Sequence, residues 1–328
     1  MSTIKYRNIL ADGRNCFFRC LAADIARDSD DAAAFVFLRQ ISAVARRFPD
    51  ARIVVCWEGG HAPWRKDLLP TYKERIDPPD DTMLRVINRI KSAQPVLEEM
   101  LSVLGIAQGR VRGYEGDDIT AFYALTMSGA TLILSSDNDF YTLLADAERR
   151  ITHQLRPGED IIITAAIHEQ KKEVPPYLWP LYKACVGDDG DKVPGVLGVG
   201  PKTAVQVCAE VAALLDPRVA THEALVEATM AVCSSTTNRR MTKLLGTEDL
   251  LLSNLKLLDL VYAVERMPAM DRRALRAALD LVEAPEAGRV RDWLMERHMV
   301  SLVADFNRWI GPFLRRQPTS CPQAPASS

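Results

Sequence analysis

The stretch TLILSSDND (131–139) joins a short apolar run to two carboxylates, Asp137 and Asp139, and the same arrangement recurs along the first half of the chain. Similar apolar runs lie near 7–11, 53–57 and 106–111, and each is followed by one or more acidic residues. Short apolar runs that alternate with amphipathic stretches are typical of β-α units around a parallel sheet. The sequence therefore predicts an α/β fold in which acidic side chains come soon after the strands.

The remaining elements follow from the spacing of apolar residues. Two further strands are expected near 150–154 and 160–164, and helical patterns lie at 17–48, with a break expected near Asp28 to Asp31, and at 82–104, 117–128 and 138–144. After about residue 176 no convincing strand is found, and helical patterns lie at 201–215, 221–233 and 249–264. We therefore expect an α/β domain over 1–175, a helical domain over 176–314 and a disordered, Pro/Ser-rich tail over 315–328.

The composition is that of a soluble globular protein. Its 328 residues, 48% of them hydrophobic, are enough for one large domain or two smaller ones with proper cores. The first seven residues lack the apolar core of a signal peptide, no apolar run could span a membrane, and the seven cysteines lack CxxC spacing. We expect a cytoplasmic protein with buried, reduced thiols. The formal charge of −2 does not exclude a nucleic-acid partner, because a dense acidic cluster masks basic patches elsewhere.

Nine carboxylates occupy short, turn-like settings. In an open α/β sheet, ligands bind beyond the carboxyl ends of the strands, so acids that follow different strands become neighbours. Two like charges roughly 4 Å apart repel by about 4 kcal/mol at an effective dielectric constant near 20, so such acids either take up protons or hold cations. Hard oxygen ligands without His or Cys favour Mg²⁺ or Mn²⁺. The nine are Asp12, Glu58, Glu115, Asp117, Asp118, Asp137, Asp139, Asp188 and Asp191.

Two of these clusters have a simpler alternative. Glu115, Asp117 and Asp118 in YEGDDI (114–119) lie where a strand gives way to a helix, and acids in the first turn of a helix also complement its dipole. Asp and Asn in SSDND (135–139) are likewise common helix caps. From the residues alone both interpretations stay open.

The segment GDDGDKVPGVLGVGPKTA (187–204) is more specific. Its acids are packed into five residues, and Gly198 and Gly200 precede a helix that begins at Pro201. Backbone amides at a Gly-rich helix start bind phosphate without reading sequence, and Lys202 adds positive charge. An ordinary loop with a helix cap is the alternative. A mononucleotide-binding P-loop is excluded, because the GxxxxGK[ST] pattern is missing.

The segment from 59 to 89 carries cations among aromatic side chains. Such interleaving suits single-stranded nucleic acid, with phosphates on Lys and Arg and bases stacked on rings. Because the segment leaves the predicted sheet directly after Glu58, it would stand over the acidic crevice. A solvated, charged loop is the alternative interpretation. The candidates for nucleic-acid contact are Trp64, Arg65, Lys66, Tyr72, Lys73 and Arg75.

Five sequence blocks, in this order, resemble the 5′-nuclease superfamily. More closely, they are similar to the flap endonucleases and 5′–3′ exonucleases of bacteria and their phages, including the 5′-nuclease domain of DNA polymerase I. The blocks are ADGRNCFFR (11–19), WEGG and WRKDLLPTYKERI (within 57–76), YEGDDI (114–119), SSDNDFYTLL (135–144) and YKACVGDDGDKVPGVLGVGPKTA (182–204). The resemblance covers about residues 6–260. It implies a PIN-like, Rossmann-like parallel sheet, a helical arch over about 60–95 and a helix-three-turn-helix element over about 187–210.

The resemblance also implies roles for individual residues. The nine acids would bind two or more divalent ions. The basic residues that match substrate contacts near the metals are Lys73, Arg19 and Lys183. The helix-three-turn-helix element would grip duplex backbone, and in relatives it also holds a potassium ion. Its candidate contacts are Gly198, Gly200, Lys202 and Thr203.

Two positions depart from the family pattern. Glu58 stands where Asp is usual, so its distance to a metal is the less certain one among the nine acids. Gly116 stands where Ala is usual, which should be harmless. Every implied metal position still holds a carboxylate, so an active enzyme is expected.

These expectations together describe a metal-dependent phosphodiesterase. Its substrates would be DNA with a 5′ flap, nick, gap or free 5′ end, cleaved near the junction of single and double strand, and RNA/DNA hybrid during primer removal. The chain is expected to be a monomer without a membrane partner. Two alternatives remain: an RNA-directed nuclease of RNase H-like or PIN type, and a non-catalytic protein that binds branched DNA.

Overall fold

A seven-stranded sheet lies at the centre of the computed structural model, which describes residues 4–23, 30–74, 80–147, 150–159 and 161–314. Its strands are β1 Tyr6–Asp12, β2 Arg52–Cys56, β3 Ala107–Gly109, β4 Ala130–Leu134, β5 Ala145–Ala147, β6 Arg150–Leu155 and β7 Ile162–Ile163. They lie in the order β3-β2-β1-β4-β6-β5, with β7 also beside β6. Strands β5 and β7 run antiparallel to β6, and the other pairings in this sheet are parallel. The predicted parallel sheet is confirmed, whereas β5 was missed because its sequence ADA has no apolar alternation.

The helices of the first half flank this sheet. They are α1 Gly13–Ala23, α2 Asp30–Arg47, α3 Pro63–Leu68, α4 Asp81–Val103, α5 Gly116–Thr126 and α6 Ala165–Lys172, with a 3-10 turn at Asp139–Leu143. Helices α1 and α2 fall in the expected helical stretch over 17–48, and the predicted break near Asp28 to Asp31 lies partly outside the described residues. In the expected arch region, helix α4 begins where the Asp80 side chain accepts a hydrogen bond from the backbone N–H of Met83.

The second half is mainly helical, as expected. Its helices are α7 Trp179–Val186, α8 Pro201–Leu214, α9 His222–Ser235, α10 Glu248–Leu258, α11 Leu260–Arg266, α12 Ala269–Asp280, α13 Ala287–Glu296, α14 Val300–Ala304 and α15 Phe306–Leu314. The expected helix over 249–264 is interrupted at Asp259, whose side chain accepts a hydrogen bond from Val261 N–H and so caps α11. A small antiparallel pair, β8 Gly187–Asp188 and β9 Val193–Pro194, corrects the expectation of no strand after 176.

Two apolar cores cover the two faces of the sheet. Successive strand residues alternate between them, as Ile9 and Leu10 do in β1. Helices α1, α2, α4, α13, α14 and α15 contribute to the first core, and α5, α11 and α12 to the second. A third core joins helices α7 to α10. The buried apolar side chains after residue 259 belong to the two cores of the sheet, whereas most of those of α7 to α10 belong to the third core.

None of the described helices is both long and apolar enough to cross a membrane. The expected disordered tail, 315–328, lies outside the described residues.

Candidate metal centre and nucleic-acid interface

The carboxyl ends of the central strands bring the first acids to one edge of the sheet. In the parallel register, Asp12 pairs with Cys56 of β2, and Ala11 pairs with Leu134 of β4. Asp12 is thus the last residue of β1, and Glu58 and Asp137 come two and three residues after their strands. This is the edge at which the sequence predicted a metal site.

Asp12 is buried at this edge, with 8% of its surface exposed. Its Oδ1 accepts a hydrogen bond from Asn15 N–H at 3.1 Å, and its Oδ2 accepts one from Ser135 Oγ at 2.9 Å. Burial raises the pKa of Asp12 to about 6, although these two donors oppose the shift. The carboxylate therefore lies in a setting that penalises its negative charge unless a cation is close.

Asp137 and Asp139 are similarly placed. The backbone N–H of Asp139 donates to Asp137 Oδ1 at 2.9 Å. Burial, followed by the neighbouring Asp139 charge, raises the pKa of Asp137 to about 7. Burial also raises the pKa of Asp139, against the opposing effect of Lys183. Repelling acids held this close favour the binding of divalent cations.

The GDDGD segment reaches the same place from the helical side. Lys183 on α7 is paired with Asp139, and its Nζ lies 2.6 Å from Asp188 Oδ2. Asp139, Asp188 and Asp191 each offer a carboxylate oxygen, and these oxygens all lie within 4.8 Å of one another. Around an octahedral Mg²⁺, neighbouring oxygen ligands are about 3 Å apart and opposite ones about 4.2 Å apart, so the three oxygens would move inward to share an ion.

Lys73, in the expected arch region, lies among the acids. Lys73 has a left-handed backbone, with φ 51°, and its N–H donates to the Asp191 carbonyl at 3.0 Å. Its Nζ lies 2.7 Å from Glu115 Oε2 and 3.6 Å from Asp191 Oδ1. Burial opposes the charge, but the carboxylates of Asp117 and Glu115 outweigh it and raise the pKa of Lys73. Lys73 therefore links acids from the sheet to acids from the helical side, as a cation.

The structure corrects the role expected for Arg65. Its side chain is 1% exposed, and its guanidinium donates to both oxygens of Asp118 at 2.9 and 2.7 Å and to the Leu257 carbonyl at 3.2 Å. A buried side chain with these partners has no surface to offer a nucleic acid. Asp118, which is fully buried, also accepts the Glu115 N–H at 3.0 Å, so a metal ion would have to compete with Arg65 for it.

Tyr72 is corrected for the same reason. The ring is 1% exposed, so no base can stack on it. Its hydroxyl lies 3.1 Å from Glu115 Oε2 and 3.1 Å from Asp191 Oδ2. Tyr72 therefore holds two of the acids in place.

The other residues proposed for nucleic-acid contact are placed differently from one another. Trp64 is half-buried, and its ring lies 5.9 Å from Tyr262 and under the guanidinium of Arg266. Lys66 is exposed, as expected for a phosphate contact. Arg75 lies outside the described residues.

The helix-three-turn-helix candidates lie at the start of α8. Gly198, Gly200 and Lys202 are exposed, and Gly198 needs its flexibility because its φ is 79°. Thr203 is 4% exposed, and its N–H donates to the Gly200 carbonyl at 3.0 Å. The Thr203 side chain is therefore a poor candidate for a surface contact, which corrects that expectation.

Arg19 is not brought to the acids. It is exposed, and its guanidinium donates to the Pro157 carbonyl at 3.3 Å. Arg14, in the first turn of α1, was not predicted as a site residue and forms an ion pair with Glu58. His61 was predicted only as one of the cations of the 59–89 segment, and its Nδ1 lies 3.3 Å from Glu115 Oε1. Their closeness to Asp12 and Glu58 in the sequence was the available signal.

Comparison with known proteins agrees with this geometry. Residues 7–173 match the family described as 5′-3′ exonuclease, N-terminal resolvase-like domain. The chain belongs to this family. It is 32% identical over 213 residues to the thermostable DNA polymerase I of Thermus aquaticus, covering 63% of this chain and 24% of that protein. It is 32% identical over 200 residues to the 5′-3′ exonuclease of Streptomyces coelicolor, covering 58% of this chain and 64% of that one.

The fold of this chain is also similar to that of a solved structure. The bacteriophage T5 flap endonuclease, crystallised as a pseudo-enzyme-product complex with DNA and metal ions, aligns with a TM-score of 0.61 and 18% identity. The alignment covers 90% of this chain and 99% of the phage protein. The shared architecture therefore includes the second, helical half of the chain as well as the sheet.

Proposed function

We propose that this member of the 5′-3′ exonuclease family is a structure-specific, metal-dependent 5′ nuclease that hydrolyses DNA phosphodiesters near junctions of single and double strand. The observation that carries the proposal is the convergence of acids from β1, β4, α5 and the β8–β9 hairpin, with Lys73 and Lys183 placed among them. A site of this composition attracts divalent cations and, through them, phosphate.

The donor set fits two or more hard divalent ions, Mg²⁺ or Mn²⁺, because its ligand atoms are carboxylate oxygens. Asp139, Asp188 and Asp191 would hold an ion on the helical side. An ion on the sheet side would be held by Asp12, Glu115, Asp117 and Asp137. When bound, such ions activate water and stabilise charge on the phosphate that is attacked.

The two lysines supply fixed positive charge to the same place. Carboxylates outweigh burial and raise the pKa of both Lys73 and Lys183, so both ammonium groups stay charged at neutral pH. With Asp139 and Glu115 serving as metal ligands, the ammonium groups of Lys183 and Lys73 would be available to a phosphate oxygen. Their charge would then stabilise the transition state of phosphodiester cleavage.

Duplex binding is assigned to the loop before α8. Gly198, Gly200 and Lys202 are exposed there, where backbone N–H groups and a lysine can contact phosphates without reading sequence. A potassium ion at this element is part of the proposal. It would be tested by the effect of K⁺, against Na⁺, on duplex affinity.

The decisive experiment uses 5′-labelled flap, nicked and gapped duplexes and RNA/DNA hybrid, each with Mg²⁺, Mn²⁺ or EDTA. Cleavage near the junction, abolished by EDTA, is expected. Asp139→Asn should lower the rate by about 100-fold or more while DNA binding persists, since an ion would lose a charged ligand. Asp189→Asn is the matched control, because Asp189 is an exposed acid of the same hairpin.

Each other result contradicts a defined part of the proposal. Binding without metal-dependent cleavage of any substrate would make the chain a non-catalytic binder of branched DNA. Preferential cleavage of the RNA strand would make it an RNA-directed nuclease.

A further inference from the structure

A cleft of about 360 Å³ lies between α2, α14 and α15 and plays no part in the proposed nuclease site. Helix α2 ends at Arg47 and leads into the amino end of β2 at Arg52, whereas the acids follow the carboxyl ends of the strands. Arg46, which lines the cleft, therefore lies toward the opposite edge of the sheet from the acids. A phosphate held at the metal centre cannot also occupy this cleft.

Arginines dominate the charged side chains of the cleft. It is lined by Arg39, Arg46 and Arg308, with Asp305 as the one acid of the lining. Arg46 donates to Ser42 Oγ at 2.7 Å, and Arg308 lies 3.8 Å from Asp305 with both side chains largely exposed. Within the described part of the chain, Arg39 and Arg46 form no salt bridge. The lining carries a net charge of +2, which comes from three arginines and one aspartate.

The remaining lining is partly apolar. Leu302 and Trp309 are buried and Phe35 is half-buried, so apolar side chains form a floor under the charged rim. The guanidinium of Arg39 lies over the Phe35 ring, 5.7 Å from its centre. Trp309 is 4% exposed, and Arg39 covers one face of Phe35, so the cleft offers no row of exposed rings on which successive bases could stack.

These features distinguish between anionic partners. Duplex DNA presents its phosphates on the ridges of a convex surface, and these would meet the arginine rim without filling the floor of a concave cleft. Single-stranded nucleic acid needs exposed rings on which its bases stack. An acidic peptide satisfies both parts of the lining, because an apolar side chain can cover the floor while carboxylates pair with the arginine forks.

We propose that this arginine-lined cleft is a docking site for a short acidic segment of a partner protein, anchored by an apolar side chain. The site would attach the nuclease to another protein while leaving the metal centre free for DNA. The proposal does not depend on the catalytic assignment, because it uses other residues at the other edge of the sheet.

A peptide-selection experiment tests the proposal directly, because the cleft then selects its own ligand. A random peptide library displayed on phage is selected on the full chain, with Arg39→Glu/Arg46→Glu/Arg308→Glu as the counter-selected protein. We expect enriched peptides in which Asp or Glu flanks an apolar residue. A synthetic copy of an enriched peptide should bind the triple variant at least about 10-fold more weakly, because charge reversal leaves its carboxylates opposed.

The matched control reverses three exposed arginines outside the cleft, in Arg273→Glu/Arg289→Glu/Arg291→Glu, and should keep the peptide affinity. Circular dichroism and thermal unfolding of both triple variants report whether they fold. If the cleft triple variant fails to fold, Arg39→Gln and Arg46→Gln are tested singly, together with protection of α2 and α15 from hydrogen exchange by the peptide. Enrichment of peptides without acids, or equal weakening in both triple variants, would overturn the proposal. So would loss of DNA affinity in the cleft variant alone, which would assign the cleft to nucleic acid.

Discussion

The acids that follow the sheet strands and those near the β8–β9 hairpin are held by different means. Asp12 and Asp137 are fixed by neutral donors, and burial raises the pKa of each, to about 6 and about 7. Asp188 instead contacts Lys183, which outweighs burial and lowers its pKa. In the sheet half of the site, Asp12 and Asp137 form no salt bridge within the described residues and need a cation from outside, although Glu115 and Asp139 contact Lys73 and Lys183. In the hairpin half, Lys183 takes the place of such a cation beside Asp188.

The largest expected effect concerns Asp118, the sheet acid that breaks this contrast because Arg65 neutralises it. Arg65→Met would leave a buried carboxylate unpaired, and should lower the free energy of unfolding by about 3–5 kcal/mol. Urea denaturation would measure it, with the exposed Lys66→Met as control. The double variant Arg65→Met/Asp118→Asn should recover part of the loss. A double variant no more stable than Arg65→Met would refute the pairing as the cause.

Removing the internal cation of the hairpin half should have the next largest effect. Lys183→Met leaves Asp139 and Asp188 without their cationic partner. It also removes a positive charge beside the phosphate that reacts, so the single-turnover cleavage rate should fall about 100-fold. Lys171→Met, an exposed lysine of α6, should cleave like the parent protein. An unchanged rate in Lys183→Met would show that the lysine only compensates charge before metal binds.

The sheet half should respond to pH in the metal-free protein. The pKa of Asp12 is higher in the folded chain than in an unfolded one, so its charge destabilises the fold at neutral pH and protonation relieves this as pH falls. Asp12→Asn should therefore raise the free energy of unfolding by roughly 2 kcal/mol near pH 7.5, and the gain should disappear toward pH 4. Denaturant titrations in EDTA would measure both values. A gain that persists at low pH would show that it does not come from the charge.

The smallest effect is expected where the two halves meet. His168 is 1% exposed. Its ring lies 4.5 Å from that of Tyr141, in the 3-10 turn after β4, and 5.2 Å from that of Trp179 in α7. Burial lowers its pKa to about 4, so the unfolded chain takes up its proton first and stability falls as pH drops below 6.5. Near pH 5.5 the cost should be about 1 kcal/mol.

His168→Phe should remove this part of the acid sensitivity. The comparison is made between pH 7.5 and 5.5 by thermal unfolding, with the exposed His298→Phe as control. An identical pH slope in parent and His168→Phe would exclude His168 as the source.

Much of the site was predictable, because several of its acids directly follow a strand in the sequence. Strand β4 and the acids of SSDND adjoin in sequence, and the parallel register then sets Asp12 beside Ser135. An acidic helix start at Glu115 to Asp118 was also foreseen as an alternative, and in the structure Glu115 and Asp118 form a capping box there. The roles of Arg65 and Tyr72 were not predictable. Both lie in a segment rich in cations and aromatic rings, and its composition does not show which of these side chains are buried.

The sequence by itself determined the alternation of strands and acids, and with it the parallel sheet and the edge at which carboxylates gather. These features are local, since the central strands β1, β2 and β4 each end within one residue of the end of an apolar run. Only the tertiary structure decided which cation meets which acid. Tyr72 and Asp191 are 119 residues apart, and Lys73, Arg65 and Lys183 are sorted among the carboxylates by the packing of three cores. Buried ion pairs form only where that packing excludes water and leaves both partners within reach.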